Sequence, residues 1–323
     1  MISEADFSFF YNEKKHLFNL GYDADKNESG NICYDMLMSE IRTACYFCAA
    51  TGRVPKKLWQ SLSRTLVAEN GFVGMVSWSG TAFEYFMPEL FLPKQSNSII
   101  DESLQFAFYN QRKTRKNGVF GISESGFYSF DSEMNYQYKA HGVQEIALKK
   151  YPKTEFVVSP YSSFLMLGEN VSACLKNLLK LKDMGAYGKY GFYEAIDMTD
   201  GESIVQSYMS HHIGMSILGA ANICFDKIFQ KRFMQEKQLF ACRELLCECI
   251  PKRMHLFVDI GNAPQKSNPG KPIPPTKIVG EPSLADPSAA FIHGGSLTLE
   301  VSGSGHIFMK YGEYAINDIS FLP

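Results

Sequence analysis

Apolar residues in the first 250 positions recur mainly at helical spacing, three or four residues apart. Gly52 and Gly185 each follow such a segment, at the position where a glycine commonly ends a helix. Residues 208–222 are apolar nearly all round, which predicts a buried helix. The pattern predicts about ten helices, joined by loops that carry glycine, aromatic and acidic residues. The clearest helical segments are 34–50, 56–66, 98–116, 161–167, 170–184, 208–222, 226–236 and 237–249.

The two ends of the chain have a different pattern. Residues 7–23 carry two aromatic runs around a polar centre, which predicts a β-hairpin. Residues 262–288 are rich in proline, glycine, asparagine and lysine, which is typical of a linker. Three short strands are predicted after this linker. Three strands do not form a stable sheet alone, so these strands either pack on the helices or begin a second domain. These strands are predicted at 296–301, 305–310 and 314–316.

Length and composition indicate a globular protein with one large core. The chain has 323 residues, of which 45% are hydrophobic, and a formal net charge of −2. Without a basic block, there is no electrostatic case for a nucleic-acid partner. No apolar run reaches the length of a membrane span, and the N-terminus lacks a signal-peptide pattern. We therefore expect a soluble, unexported chain without membrane contact of its own.

The eight cysteines lie mostly in helix-like apolar segments, where a thiol behaves as a small hydrophobic group. This favours reduced thiols and a cytoplasmic location. Cys45 and Cys48, like Cys247 and Cys249, are spaced as half of a zinc site, but neither pair has a second half at metal-site spacing. We expect no metal and no cofactor.

The most informative stretch is 190–197, Tyr-Gly-Phe-Tyr-Glu-Ala-Ile-Asp, followed by Ser-Tyr-Met-Ser-His-His at 207–212. Its aromatic residues surround Glu194 and Asp197, and a carboxylate in such surroundings is usually paired or functional. An apolar environment raises the pKa of a carboxyl group, as a general acid near neutral pH requires.

Seven short motifs stand out in the chain: YDMLMSEIR at 34–42, VSWSGTAFEYFMP at 76–88, GISES at 121–125, YQY at 136–138, PY at 160–161, YGFYEAID at 190–197 and SYMSHHIGM at 207–215. Together they resemble the glucoamylase-like domain, the central domain of cyclic β-1,2-glucan synthases, which is related to bacterial endo-β-1,2-glucanases. The resemblance covers roughly residues 5–255, and the motifs occur in the family's order.

The resemblance implies a mainly α protein, an α/α toroid of six-hairpin type, whose cleft binds β-1,2-glucan and cleaves or rejoins it. In the synthases this domain cyclises glucan by transglycosylation, between a membrane-bound glycosyltransferase region and a phosphorylase-like region. We therefore expect a toroid domain at 1–255, a linker at 256–289 and the truncated start of a β-sandwich at 290–323. Other synthase regions are implied as partners, and as a link between this cytoplasmic chain and the inner membrane.

Two departures from the family pattern affect these expectations. Family members usually have further helices before the segment 7–18, so we expect the toroid to lack an N-terminal helix pair. Ile213 follows His211 and His212 where relatives usually have a glutamine. The alternatives to an active enzyme are a non-catalytic glucan-binding remnant and a structural helical domain.

Glycoside cleavage requires one carboxyl group that protonates the leaving oxygen and a second that acts as nucleophile or base. We assign Glu124 as acid/base and Glu194 as nucleophile or base, and expect them to converge on one aromatic-lined groove. The alternatives are a turn carboxylate bonded to backbone amides for Glu124, and a buried, hydrogen-bonded carboxyl for Glu194. Glu84 is the third catalytic candidate, although the spacing Thr81-x-x-Glu84 also fits a capping box.

Aromatic and polar side chains near these motifs are candidates for binding sugar. Each aromatic ring alone is more often part of a core than of a site. Adjacent histidines point about 100° apart on a helix and do not easily share a metal ion, so we expect one to bond sugar or a catalytic carboxylate and the other to pack. We expect Asp197 to orient neighbouring groups or to cap backbone groups, and not to take part in the reaction. The candidates are Trp78, Tyr85, Tyr136, Tyr138, Tyr193, Asp197, His211 and His212.

Overall fold

The structure is a computed structural model that describes residues 5–131, 133–150, 152 and 154–250, together with strands at 289–294, 297–302, 307–311 and 314–319. The chain divides into two compact units, Met1–Val258 and Asp259–Pro323. Among the described residues, none of the helices combines the length and the apolar character that crossing a membrane requires.

The described part of the first unit is mainly helical, as predicted, with nine α-helices. The helices predicted at 34–50 and 56–66 are shorter in the structure, and their outermost residues Tyr34 and Leu66 belong to paired strands instead. The helices are α1 Arg42–Ala50, α2 Lys57–Ser61, α3 Ala82–Phe86, α4 Ile99–Lys113, α5 Pro160–Leu165, α6 Val171–Asp183, α7 Ser210–Cys224, α8 Ile228–Phe233 and α9 Lys237–Ala241.

Short antiparallel strands connect these helices. The predicted N-terminal hairpin is confirmed, with Tyr11 opposite Phe18. Most of the other strands are only two to four residues long, too short to leave an alternating pattern in the sequence. The strands are β1 Tyr11–Asn12, β2 Leu17–Asn19, β3 Tyr22–Asp23, β4 Glu28–Ser29, β5 Cys33–Tyr34, β6 Leu66–Glu69, β7 Phe72–Met75, β8 Ser125–Gly126, β9 Tyr138–Lys139, β10 Val157–Val158, β11 Tyr187–Gly188, β12 Gly191–Phe192, β13 Ala195–Asp197 and β14 Ser203–Val205.

Two of these small sheets hold the loops that carry the candidate carboxyl groups. Strand β13, which follows Glu194, lies between β10 and β14, and Ile196 pairs with Val158 in the fully buried centre of that sheet. Strand β8, which follows Glu124, pairs with β9, so that Ser125 lies opposite Lys139. The backbone beside each carboxyl group is therefore fixed by strand pairing.

Helix α7 was predicted to be buried all round, and this prediction is wrong. Its buried residues His212, Met215, Gly219 and Asn222 lie on one face, whereas the side chain of Ile217 is 63% exposed. The buried face packs on α5, and Gly219 permits this close approach because a Cβ there would collide with the backbone carbonyl of Phe164. An apolar sequence all round a helix does not show which face has a partner in the fold.

A buried charged network joins α1 to the segment after α3. The Arg42 guanidinium is fully buried and donates to the Tyr85 carbonyl oxygen at 2.9 Å and to Glu89 Oε1 at 3.2 Å. Burial raises the pKa of Glu89 to about 7, while the charges of Arg42 and Lys94 oppose this effect. Such a pair is costly to break, because the remaining partner keeps its desolvation cost without its attraction.

The described part of the second unit is a four-stranded antiparallel sheet in the order β15 Ala289–Gly294, β16 Leu297–Ser302, β17 Ile307–Tyr311 and β18 Tyr314–Ile319. The three predicted strands are confirmed, and β15 is an additional strand. The predicted linker at 256–289 lies, except for Ala289, outside the described residues. The assignment of these strands to a β-sandwich stays a prediction.

The buried network leads to a test of stability. Replacing Arg42 by methionine removes the partner of Glu89 and of the Tyr85 carbonyl, so we expect Arg42→Met to lower the free energy of unfolding by about 3–5 kcal/mol. Arg115→Met is the matched control, because Arg115 is exposed, and its effect should stay within about 0.5 kcal/mol. Urea unfolding followed by circular dichroism measures both, and equal midpoints for the two variants would contradict the role given to Arg42.

Candidate active site

Glu124 lies in a segment whose backbone is fixed on several sides; we call residues 121–126 the acidic segment. Gly121 has a φ of +119°, which favours glycine, and its carbonyl accepts the Ser159 amide at 3.0 Å. The hydroxyl of Ser123 accepts the Phe83 amide at 3.0 Å. A Cβ at Gly126 would collide with the Tyr136 hydroxyl. Glycine at both ends thus lets the segment pass close to its neighbours.

The acidic segment borders a cavity of about 370 Å³, which we call the carboxylate cleft. Glu40, Glu84 and Glu124 all line it, together with Tyr34 and Trp78. The Trp78 side chain is 60% exposed, although most tryptophans are largely buried. Three glutamate carboxyl groups and an exposed indole ring therefore share one cavity, and Asp35 adds a fourth carboxyl group to its lining.

The Glu124 carboxyl group has the electrostatics of a general acid. Burial raises its pKa to about 7, and the negative charges of Glu40 and Glu84 act in the same direction, whereas Lys149 opposes them. Its side chain is only partly buried, so the carboxyl group remains accessible from the cleft. A carboxyl with this pKa is protonated in a substantial fraction of molecules at neutral pH, as proton donation requires.

Glu84 is held by hydrogen bonds at the floor of the same cleft. Its carboxylate accepts the Ser79 amide at 3.0 Å, the Thr81 amide at 3.0 Å and the Ser77 hydroxyl at 2.8 Å. The predicted capping box with Thr81 is present, and the side chain is buried. Burial raises the pKa of Glu84, and the hydrogen bonds lower it. These contacts give Glu84 a structural task at the start of α3 and occupy most of its acceptor positions.

Glu40 was not among the predicted site residues. It lies in the motif 34–42, which the helical pattern placed inside a helix, but α1 begins only at Arg42. Glu40 Oε2 accepts the Ser39 hydroxyl at 2.8 Å. Burial, and then the charge of Glu40, raises the pKa of Tyr34 to about 12. The sequence did contain a signal, because Glu40 is an acidic residue within a family motif. Since a helix was predicted there, Glu40 was interpreted as an ordinary residue of a helix surface.

Glu194 lines a different cavity, of about 420 Å³, which we call the tyrosine cavity. Its side chain is only 1% exposed. Oε1 accepts the Gly126 amide at 3.2 Å, and Oε2 lies 2.9 Å from His212 Nδ1. Tyr190 and Tyr193 stand on other walls of this cavity. The predicted contact between a histidine and a carboxylate is thus present.

Glu124 and Glu194 were expected to face one groove, but the structure places them in neighbouring cavities. Tyr161 lines the tyrosine cavity, and its hydroxyl donates to the Glu124 carbonyl at 2.9 Å. The two carboxyl groups are therefore linked through the backbone of the acidic segment, and they do not line the same cavity.

Three other predicted binding residues, Tyr136, Tyr138 and His211, line neither cavity. Tyr136 and Tyr138 are 43% and 38% exposed, and the Tyr138 hydroxyl lies 3.3 Å from His212 Nε2. His211 is exposed beside His212, with the ring centroids 4.1 Å apart. Desolvation and the neighbouring His212 lower the pKa of His211.

Two predicted binding residues belong to the framework. Tyr85 is fully buried and donates to the Met75 carbonyl at 2.9 Å, which corrects its assignment as a sugar platform. Asp197 accepts the amides of Tyr128 at 3.1 Å and Thr199 at 3.0 Å, and it lines neither the carboxylate cleft nor the tyrosine cavity. Its contacts correspond to the orienting role expected for it.

Comparison with proteins of known sequence shows which family this chain resembles. Residues 34–237 match the family described as "Putative glucoamylase". The cyclic β-(1,2)-glucan synthase NdvB of Rhizobium meliloti (strain 1021) is 31% identical over 315 residues, which cover 93% of this chain and 11% of the synthase. This chain thus spans about a tenth of the length of that relative.

Solved structures show the same fold. An endo-β-1,2-glucanase from Chitinophaga pinensis, in complex with sophorotriose and glucose, matches 75% of this chain and 61% of its own, with a TM-score of 0.55 and 17% identity. A protein from Bacteroides uniformis ATCC 8492, described as a "putative glucoamylase", matches 75% of this chain and 61% of its own, with a TM-score of 0.59 and 15% identity. The sequence match over 34–237 and the shared fold show that this chain belongs to the glucoamylase-like family.

Proposed function

We propose that this chain acts on β-1,2-glucan, by transglycosylation or by hydrolysis, and that the carboxylate cleft is its active site. The observation that carries the proposal is a carboxyl group with a pKa of about 7, Glu124, in a cavity shared with further carboxyl groups and an exposed tryptophan. The choice of glucan is supported by the relatives, which are named as a cyclic β-(1,2)-glucan synthase and an endo-β-1,2-glucanase.

Glu124 is the general acid of this proposal. Cleavage of a glycosidic bond develops positive charge on the sugar, and a proton must reach the leaving oxygen as the bond breaks. The protonated form of Glu124 supplies that proton, while the second carboxylate either attacks the anomeric carbon or takes the proton of the attacking hydroxyl group. Where the second carboxylate has formed a glycosyl-enzyme bond, the conjugate base of Glu124 then takes the proton of the hydroxyl group whose attack breaks this bond. In transglycosylation this hydroxyl belongs to a sugar, which must be held in place to compete with water. The exposed ring of Trp78 offers an apolar platform for a sugar unit at the cleft.

Two residues compete for the second carboxyl role. Glu194 is the sequence-based candidate, but its side chain is 1% exposed and lines the tyrosine cavity. Glu40 lines the same cleft as Glu124 and raises the pKa of that residue through its charge. We assign the role of nucleophile or base to Glu40 and keep Glu194 as the second candidate.

The finer architecture and cellular setting are part of the same proposal. The first unit is an α/α toroid domain of helix pairs, and the strands β15–β18 belong to the β-sandwich that opens a phosphorylase-like region. Other regions of a synthase are the proposed partners. A cytoplasmic location is supported by the eight cysteines, all of which are free thiols.

The carboxyl assignments are tested by three substitutions. Incubation with linear β-1,2-glucan, scored by mass spectrometry for chain-length change and ring formation, should show losses of about 10²–10⁴-fold for Glu124→Gln and for Glu40→Gln. Glu28→Gln is the matched control, because Glu28 is exposed on β4, and it should retain full activity. A loss of this size in Glu194→Gln with an active Glu40→Gln would transfer the second role to Glu194.

The same incubation separates the alternatives to an enzyme. Glucan binding without product, measured by calorimetry, would indicate a glucan-binding remnant. Absence of both binding and product would indicate a structural domain.

The pKa of Glu124 predicts the pH dependence of the reaction. Its ordinary value of 4.5 is raised to about 7, so the proton-donating form predominates below pH 7 and is lost above it. We therefore expect kcat/KM to fall about tenfold per pH unit on the alkaline side of this value, because only the protonated acid assists departure of the leaving group. The profile is measured with the unmodified chain on linear glucan. A plateau that extends two units above pH 7 would exclude Glu124 as the acid.

A further inference from the structure

We propose that Glu194 is a positioning residue, which acts together with His212 and Tyr161 to hold the acidic segment so that the Glu124 carboxyl group faces the carboxylate cleft. This inference rests on the proposed role of Glu124. It assigns a task to the buried pair of Glu194 and His212, which the proposed reaction in the carboxylate cleft does not use. Its basis is the set of contacts that the three side chains make with the segment.

The first contact is made by the carboxylate of Glu194. Its Oε1 accepts the backbone amide of Gly126, two residues beyond Glu124, at 3.2 Å. The Glu194 backbone is itself fixed, because its amide donates to the Ser207 carbonyl at 3.0 Å and strand β13 begins at the next residue. A rigid carboxylate therefore fixes the C-terminal end of the acidic segment.

The second contact runs through His212 and Tyr161. His212 Nδ1 lies 2.9 Å from Glu194 Oε2, and its ring stacks on that of Tyr161, with centroids 3.7 Å apart and planes at 14°. The Tyr161 hydroxyl reaches the Ser123 hydroxyl at 2.8 Å and the Glu124 carbonyl at 2.9 Å. His212 and Tyr161 thus hold the acidic segment at Ser123, before Glu124, and at the Glu124 carbonyl, after its side chain.

The surroundings of Glu194 favour positioning over direct chemistry. One carboxylate oxygen accepts from the Gly126 amide and the other faces His212, so both are engaged within the protein. The side chain is 1% exposed, which leaves almost no surface for a sugar. A group that touches the reacting atoms needs an open approach, whereas a positioning group works best when it is enclosed.

Displacement of the acidic segment should reduce the rate more than the affinity. A shift of about 1 Å in a reacting group costs about a hundredfold, because the geometry of proton transfer is lost while most binding contacts remain. In Glu194→Gln one of the two carboxylate oxygens is replaced by an NH2 group, which donates and cannot accept. We expect this variant to lower kcat about ten- to a hundredfold with little change in KM. Tyr161→Phe, which keeps the stacked ring and removes the hydroxyl, should act in the same direction.

The matched control is Tyr46→Phe. Tyr46 is also fully buried, and its hydroxyl donates to the Leu239 carbonyl at 2.7 Å, outside the contacts described for the acidic segment. Both tyrosine variants lose one buried hydroxyl, so both should move the midpoint of urea unfolding to a lower concentration by a similar amount. Only the variants at Tyr161 and Glu194 should lower kcat.

A second readout does not depend on activity. Titration of carbon-13-labelled glutamate by NMR follows the Glu124 carboxyl group directly in the full chain. In Glu194→Gln and Tyr161→Phe its midpoint should fall from about 7 toward the ordinary glutamate value, because a displaced segment brings the carboxyl closer to water. Tyr46→Phe should leave the midpoint unchanged. If the unmodified chain processes no glucan, the proposed function fails, but this titration still decides whether Glu194 positions the segment.

Three results would overturn the inference. One is an unchanged Glu124 midpoint in both Glu194→Gln and Tyr161→Phe. Another is restoration of Glu194→Gln activity by added azide or formate, which would show that Glu194 is itself the missing carboxylate of the reaction. The third is a Glu194→Gln/Tyr161→Phe double variant whose fold-loss in kcat equals the product of the two single fold-losses. Two residues that act through one segment should instead have non-additive effects on the free energy of activation.

Discussion

A carboxyl group that stays partly protonated at neutral pH must be kept from water, and this constraint governs the first unit. Burial supplies the largest contribution to the raised pKa of Glu124, and the nearby charges of Glu40 and Glu84 add to it. Each of these effects disfavours the ionised site. The surrounding fold has to offset the free-energy cost of this site. Carboxyl groups that repel one another stay close together only when the backbone segments that carry them are held in place.

The fold meets this demand with hydrogen bonds from backbone amides and with short strands. The capping box at Thr81 fixes Glu84 at the start of α3, and strand pairing at Ser125 fixes the residue after Glu124. Beneath them lies the apolar core, where each fully buried large side chain contributes about 1.5–3 kcal/mol. Glu40 and Glu124 lie outside the helices, whereas Glu84 lies in the first turn of α3.

Much of this arrangement could be predicted from the sequence, because helices of three or four turns leave a periodic pattern. Helices α4, α6 and α7 were found in this way, as was the capping box at Glu84, whose spacing is local. Pairing between distant residues could not be predicted. Tyr85 was expected to bind sugar because its neighbours are site residues, but its ring is buried on α3 and its hydroxyl donates to the Met75 carbonyl. The separation of Glu124 from Glu194 into two cavities likewise depends on contacts seventy residues apart, which periodicity does not report.

Tyr161 links the tyrosine cavity to the backbone of the acidic segment. Its ring lines the tyrosine cavity, while its hydroxyl contacts the backbone of the residue that faces the carboxylate cleft. Any molecule that moved this ring from one side would alter the geometry of the other side, and thermodynamic linkage makes such an influence reciprocal. Occupancy of one compartment and affinity in the other would then change together, so that two separate recesses respond as a single coupled unit.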